Sequence, residues 1–234
     1  MNQTALLARL KASLQSSAGD VVFGMEDGTV SIFGLVFGVA ATTNDQSAVL
    51  IAGASGAVAA AVSMMAGTYL DAETSEDQAK VLDAHIAAEL KSDSGAVVGR
   101  VAQRLQAAGL AQEQAAIASN FLLSQPDVLK ALAMALADPA DGSMGSALVR
   151  SLWMLVADFL AAAIPILPFA FLAVPEGRVV SAGITTLLLI ALGIGRARIG
   201  GRSTLRTVIE TVAIGIAAAL AGVGIGVGIA RLAG

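Results

Sequence analysis

VFGMEDGTVSIFGLVFGVAA, residues 22–41, decides how the rest of the chain is read. After Asp27 and Gly28 the run holds no charge, and only Thr29 and Ser31 are polar. About 20 mostly apolar residues suffice to cross a bilayer as a helix, so a span is expected over 21–43. Glu26 and Asp27 are thereby carried to the membrane edge or into it, where an aspartate at the helix centre costs about 2.5–3.5 kcal/mol. With a helix start near Val21, Asp27 lies about 9 Å along the axis at 1.5 Å per residue. Two readings stand for it: an interfacial residue facing water, or a hard oxygen ligand that exchanges a divalent cation or a proton. Glu26 points about 100° away around the helix, so the two acids need not share one ion.

Working outward, four more segments reach spanning length: 47–70, 147–174, 178–196 and 208–232. The whole chain is 56% hydrophobic and only 14% charged, with a mean hydropathy of +0.77, against about 25% charged in a soluble domain. No strand pattern is found. The fold class is therefore all-α, a polytopic membrane protein whose environment is the lipid bilayer. The absence of cysteine excludes disulfide frameworks and thiolate metal sites. A net charge of −4 without a basic groove excludes nucleic acid as a partner.

The connections set the topology. TTNDQ and VPEGR are short and acidic to neutral, whereas GRARIGGRSTLR carries Arg196, Arg198, Arg202 and Arg206 without an acid. Positive loops stay in the cytoplasm, which places the N-terminus inside and the C-terminus outside. Arg9 and Lys11 agree and Arg231 dissents. A bacterial inner membrane is the expected location. Residues 1–20 lack the apolar core of a signal peptide. Leu6, Leu7, Leu10 and Leu14 at helical spacing suggest an amphipathic cytoplasmic helix, the alternative being a frayed polar tail.

Four regions result: 1–20, the spans of 21–70, a cytoplasmic helical insert over 71–146, and the spans of 147–234. From 71 to 150 there are eleven acids and six bases, too polar for lipid. Two or three helices are expected there, with breaks at Lys91–Gly95, near Gly109 and at Pro126. Glu73, Glu76, Asp77 and Asp83 share one helical sector with Lys80 in its middle, which reads as a solvated, salt-bridged face. His85 and Glu89, at i and i+4, form the better two-ligand pair for a metal.

Within the spans, Met64 offers a thioether, poor for Mg²⁺ but acceptable to borderline transition metals; packing is the alternative. Asp158 precedes Pro165 and Pro168, which are expected to break or kink the helix. It reads either as a proton relay or as a bond to a neighbouring helix. Glu210 follows Arg206 by four residues and is expected to pair with it. Gly34 and Gly38 form a GxxxG that permits close helix contact. The glycines of GVGIGVG (222–228) follow no strand, so a nucleotide-binding reading is rejected. One histidine, no cysteine and no phosphate-binding loop leave no hydrolase or transferase constellation, and no enzyme activity is expected.

Several motifs resemble the vacuolar iron transporter family. DGTVSIFGLVFGVAA is similar to its first-span motif, SMMAGTYL to its second, AAAIPILPF to its third, and GRSTLRTVIETVAIGIAAAL to the loop and opening of its fifth. The resemblance implies a homodimer that exports Fe²⁺, often also Mn²⁺, from the cytosol in exchange for protons, with no permanently bound cofactor. It implies that the first helices of two subunits line the path, that Asp27 binds metal in the membrane, and that Met64 is the pathway methionine. Two departures stand out. Gly56 occupies the place of a second-span glutamate, and the insert keeps Glu89 but not the acidic cluster that follows it in the family. Glu26 is unusual before the Asp, and one expectation is that it restores the carboxylate lost at Gly56. A non-transporting scaffold or metal sensor that keeps the fold is the alternative.

Overall fold

A computed structural model describes residues 3–137 and 144–233, all helix and connection with no strand among the described residues. The helices are α1 (Gln3–Ser16), α2 (Ala18–Ala40), α3 (Gln46–Ser92), α4 (Ser94–Ala107), α5 (Gln112–Leu123), α6 (Pro126–Ala137), α7 (Met144–Phe171), α8 (Val174–Ile199) and α9 (Thr204–Ala233). Five of them, α2, α3, α7, α8 and α9, are long and apolar enough to cross a membrane. The protein is an all-α polytopic membrane protein. The chain divides into a unit of Met1–Tyr69 with Leu148–Gly234 and a unit of Leu70–Ala147.

In the first unit, contacts fix the helix directions. Gly24 and Gly28 of α2 meet Met154 and Asp158 of α7, and Gly34 and Gly38 meet Ala218 and Gly222 of α9, so these three helices run parallel. Gly53 and Gly56 of α3 face Val36 and Ile32, Gly177 of α8 faces Phe169, and Gly193 faces Val208. Hence α3 and α8 run the other way. The core between them is Ile32, Val36, Ala40, Val49, Ala57, Ala162, Phe169 and Val174. Thr29, Ser151, Ser181, Thr185, Thr207 and Thr211 are also buried. Lipid is as apolar as leucine, so small and hydroxyl side chains make the helix contacts. The large side chains turn outward: Ile51, Leu160, Leu187, Leu220 and Ile225 are all exposed.

Three expectations need correction. The first span begins at Ala18, three residues before Val21, so Asp27 lies about 13 Å along α2 at 1.5 Å per residue. Asp20 falls in the first turn, where an acid suits the positive end of the helix dipole, and Arg150 donates to it at 2.8 and 3.1 Å. Second, α7 continues through Pro165 and Pro168 to Phe171 without a break. Ser181 of α8 donates to the Pro165 carbonyl at 2.7 Å, and Gln46 donates to that of Phe169 at 2.6 Å. Side chains of neighbouring helices thus serve carbonyls around the prolines. Third, Arg196 and Arg198 belong to the last turn of α8 instead of the loop.

In α1, Leu7, Leu10 and Leu14 are exposed, and Ser13 accepts a hydrogen bond from the Trp153 indole at 3.0 Å. The side chains of Leu6 and Arg9 lie outside the described residues, as do residues 138–143 of the expected insert.

The second unit joins the end of α3 to α4, α5 and α6 around Ile86, Val97, Val98, Val101, Leu122, Leu129 and Ala133. Breaks fall at Asp93, at 108–111 and at 124–125. Asp93 caps α4 by accepting from the Ala96 N–H at 3.0 Å, which satisfies one of the orphan donors of a helix start. Gly109 follows α4 at φ 107°, a conformation glycine adopts at no steric cost.

Candidate metal centre

The centre of the first unit is a face of α2 stripped of side chains. A Cβ on Gly24 would meet the Met154 Cγ and carbonyl oxygen, each at 3.0 Å. One on Gly28 would come within 2.6 Å of Asp158 Oδ1. Glycines four residues apart on α2 therefore admit Met154 and Asp158, four residues apart on α7. That matched spacing is the signal in the sequence that could have paired these helices. Met154 itself had not been singled out.

Asp158 is fully buried, and neither of its carboxylate oxygens has a hydrogen-bond partner. Asp27, next to Gly28, is half-buried, and no hydrogen bond or ion pair ties it to a described residue. The two carboxylates lie within electrostatic reach of each other. Helix α3 reaches Met154 through Thr68. The Thr68 hydroxyl lies within hydrogen-bond distance of the Met64 carbonyl, at 2.9 Å, and of the Met154 sulfur, and its single proton serves one of them at a time. Met64, half-buried, stands one turn before it.

Glu26 takes a different place. Only 8% exposed, it accepts from the Arg196 guanidinium at 3.0 and 3.4 Å and from Thr211 Oγ1 at 3.1 Å. Its carboxylate is thus committed to α8 and α9, a full ion pair that competes with any metal. Proximity in sequence could not reveal this, because Arg196 lies 170 residues on. A Cβ on Gly56 would fall 2.3 Å from Leu35 Cδ2, so Leu35 fills that space. Glu210 pairs with Arg206 at 3.0 Å, as its spacing suggested, and also with Arg202 at 3.5 Å.

Gly34 and Gly38 face α9 of the same chain. A Cβ on Gly38 would lie 2.7 Å from the Gly222 carbonyl oxygen, and one on Gly222 would lie 2.0 Å from that of Gly34. The backbones are in direct contact along this line.

In the insert, Glu89 is gripped by both terminal nitrogens of Arg100, while His85 Nε2 is 3.8 Å from Glu89 Oε2. The Arg100 guanidinium holds the Glu89 carboxyl below the usual carboxylate range, against a smaller opposing effect of burial. A pocket beside it is lined by His85, Arg100 and Arg104 together with apolar side chains, a basic rim unsuited to a cation. The acidic face of α3 is occupied too. Lys80 pairs with Glu76 at 2.8 Å and Asp77 at 3.4 Å, and Lys130 with Asp83 at 2.8 Å. Among the described residues no group of three or more His, Asp or Glu is placed to hold a metal ion.

Comparison with known proteins adds an independent finding. The VIT family model matches residues 18–227. The chain is 28% identical over 211 residues to Vacuolar iron transporter 1 of Arabidopsis thaliana, covering 85% of this chain and 80% of that protein. It is 26% identical to the Vacuolar iron transporter of Centaurea cyanus, over 85% of this chain and 82% of the relative. Vacuolar iron transporter 1 of Eucalyptus grandis is also 26% identical, over 85% and 81%. The match begins at the first residue of α2, takes in all five spanning helices and the insert between them, and on that breadth the chain belongs to the VIT family.

Proposed function

We propose that this protein transports a divalent metal ion, Fe²⁺ or Mn²⁺, out of the cytosol in exchange for protons, and that it does so as a homodimer. The observation that carries the reading is Asp27: a carboxylate inside a spanning helix, half-buried and without an ion-pair partner among the described residues, in a chain of a family whose named relatives are iron transporters. Asp27 binds the ion and takes a proton in its place. Met64 contributes a soft donor that favours borderline transition metals over Mg²⁺, and Asp158 lies on the proton route. Gly34 and Gly38 keep α2 close to α9. The four arginines around the turn between α8 and α9 support a cytosolic side for that turn and, with it, for the N-terminus.

The test is flux of Fe²⁺, Mn²⁺, Co²⁺ and Zn²⁺ into proteoliposomes under an imposed pH gradient. Wild-type protein accumulates metal when the gradient is present, and Asp27→Asn does not. Flux that ignores the gradient removes the antiport and leaves metal transport standing. Equal flux by Asp27→Asn removes the assigned role of Asp27.

A second reading, a metal sensor or scaffold that keeps the fold, is favoured by one observation. The insert holds no metal-binding cluster among its described residues, and Glu89 is taken by Arg100. Metal binding to the purified protein without any flux would select it.

A further inference from the structure

The acids that the spanning helices of the first unit bury or half-bury fall into two groups. Asp20, Glu26 and Glu210 each hold an arginine: Arg150, Arg196, and Arg206 with Arg202. Asp27 and Asp158 hold no cation among the described residues, although Asp158 is the most deeply buried of the five. An unpartnered carboxylate in an apolar interior is costly by itself, and a second carboxylate within electrostatic reach adds repulsion. A divalent cation removes both penalties together.

The geometry allows it. On these parallel helices Gly24 meets Met154 and Gly28 meets Asp158, so Asp27 lies one residue, about 1.5 Å of helix rise, from the level of Asp158. A Cβ on Gly28, immediately after Asp27, would clash with both the carbonyl oxygen and Oδ1 of Asp158, so the Asp158 carboxylate packs against the residue that follows Asp27.

We infer that Asp158 is a direct ligand of the transported ion, a second carboxylate supplied by α7 opposite Asp27. This rests on the metal-transport reading above. It changes that site from one acid with a thioether to a pair of hard oxygens with that thioether. Two anionic oxygen donors with a thioether suit Mn²⁺, Fe²⁺ and Co²⁺.

The experiment is titration of the full-length protein in nanodiscs with Mn²⁺ and Co²⁺ by calorimetry, together with thermal unfolding with and without metal. Wild type is compared with Asp158→Asn and Asp27→Asn. Each variant is expected to lose at least about tenfold in affinity, since both carboxylates neutralise the ion. Metal-free Asp158→Asn is expected to melt no lower than wild type, having lost a buried charge, while its metal-induced stabilisation disappears. A residue that only packs would shift the metal-free melting temperature and leave affinity alone.

If Asp27→Asn loses binding and Asp158→Asn binds as wild type does, the ligand role of Asp158 is overturned and the transport reading survives. If neither variant changes affinity, the ligand role of Asp158 and the assigned role of Asp27 are both overturned. Should Asp158→Asn fail to fold, wild-type protein labelled with ¹³C at the aspartate carboxyls answers the question by electron–nuclear double resonance on bound Mn²⁺. Coupling to two carboxylates is expected, and coupling to one refutes the inference.

Discussion

Adding one methyl group to Gly222 tests the packing that organises the spanning helices. An alanine Cβ there would sit 2.0 Å from the Gly34 carbonyl oxygen and 2.8 Å from its carbon, where ordinary contact begins at 3.4 Å. Backbone is on both sides, so no side chain can rotate away. The helices α2 and α9 must instead move apart by about 1.4 Å, and the neighbouring approach of Gly226 to the Gly38 carbonyl oxygen, 2.3 Å for a built Cβ, is loosened with it. Overpacking of this kind costs about 1–3 kcal/mol. Gly224, two residues away on α9, meets nothing within 4 Å and is the internal control. Alanine exceeds glycine in helix preference by up to about 1 kcal/mol at either position, so the difference between the two variants isolates the contact. At about 2–4 °C per kcal/mol for a chain of this length, Gly222→Ala should melt about 2–12 °C below Gly224→Ala. Thermal unfolding of the detergent-solubilised protein, followed by tryptophan fluorescence from Trp153, provides the measurement. Melting temperatures within about 1 °C of each other would refute close backbone contact between α2 and α9.

The ion pair of Glu26 is structural on this account. Glu26→Ala should cost about 1.5–3 kcal/mol, the range for hydrogen bonds to a charged group, while the metal-induced stabilisation is retained; its loss in both Glu26→Ala and Glu26→Gln would restore Glu26 as a ligand. Ser181→Ala strips the Pro165 carbonyl of its buried donor and should destabilise by about 0.6–2 kcal/mol in a thermal melt, whereas a change at the exposed Val179 should be neutral. In the insert, Glu89 is depressed by Arg100, so the pair stabilises the folded state above the ordinary glutamate value of about 4.3 and is lost as pH falls through the lower folded value. Amide protection of α4, corrected for intrinsic rates, should fall in that acid window and show no such step in Arg100→Met.

Much of this architecture is written locally. A run such as DGTVSIFGLVFGVAA has only one stable form in lipid, because every backbone N–H and C=O must be satisfied within its own helix. Span number, helix class and the breaks at Asp93, Gly109 and Pro126 follow from residues close in the chain. So does the pairing of Glu210 with Arg206, one turn apart. The local rule that a proline breaks or kinks a helix could not show that α7 runs on to Phe171, nor that Ser181 of α8 donates to the Pro165 carbonyl.

Charge partners across helices were not legible. Arg196 reads as a loop charge until α8 is folded against α2, and only then does it claim Glu26. Asp158 reads as one acid before a proline until Gly28 shows what it faces. Sequence alone determined which segments enter the membrane, because hydrophobicity and backbone hydrogen bonding are properties of each helix by itself. Tertiary structure decided that Asp20 and Glu26 are neutralised by arginine while Asp27 and Asp158 hold no ion-pair partner among the described residues, because these ion pairs depend on a few ångströms between residues more than a hundred positions apart.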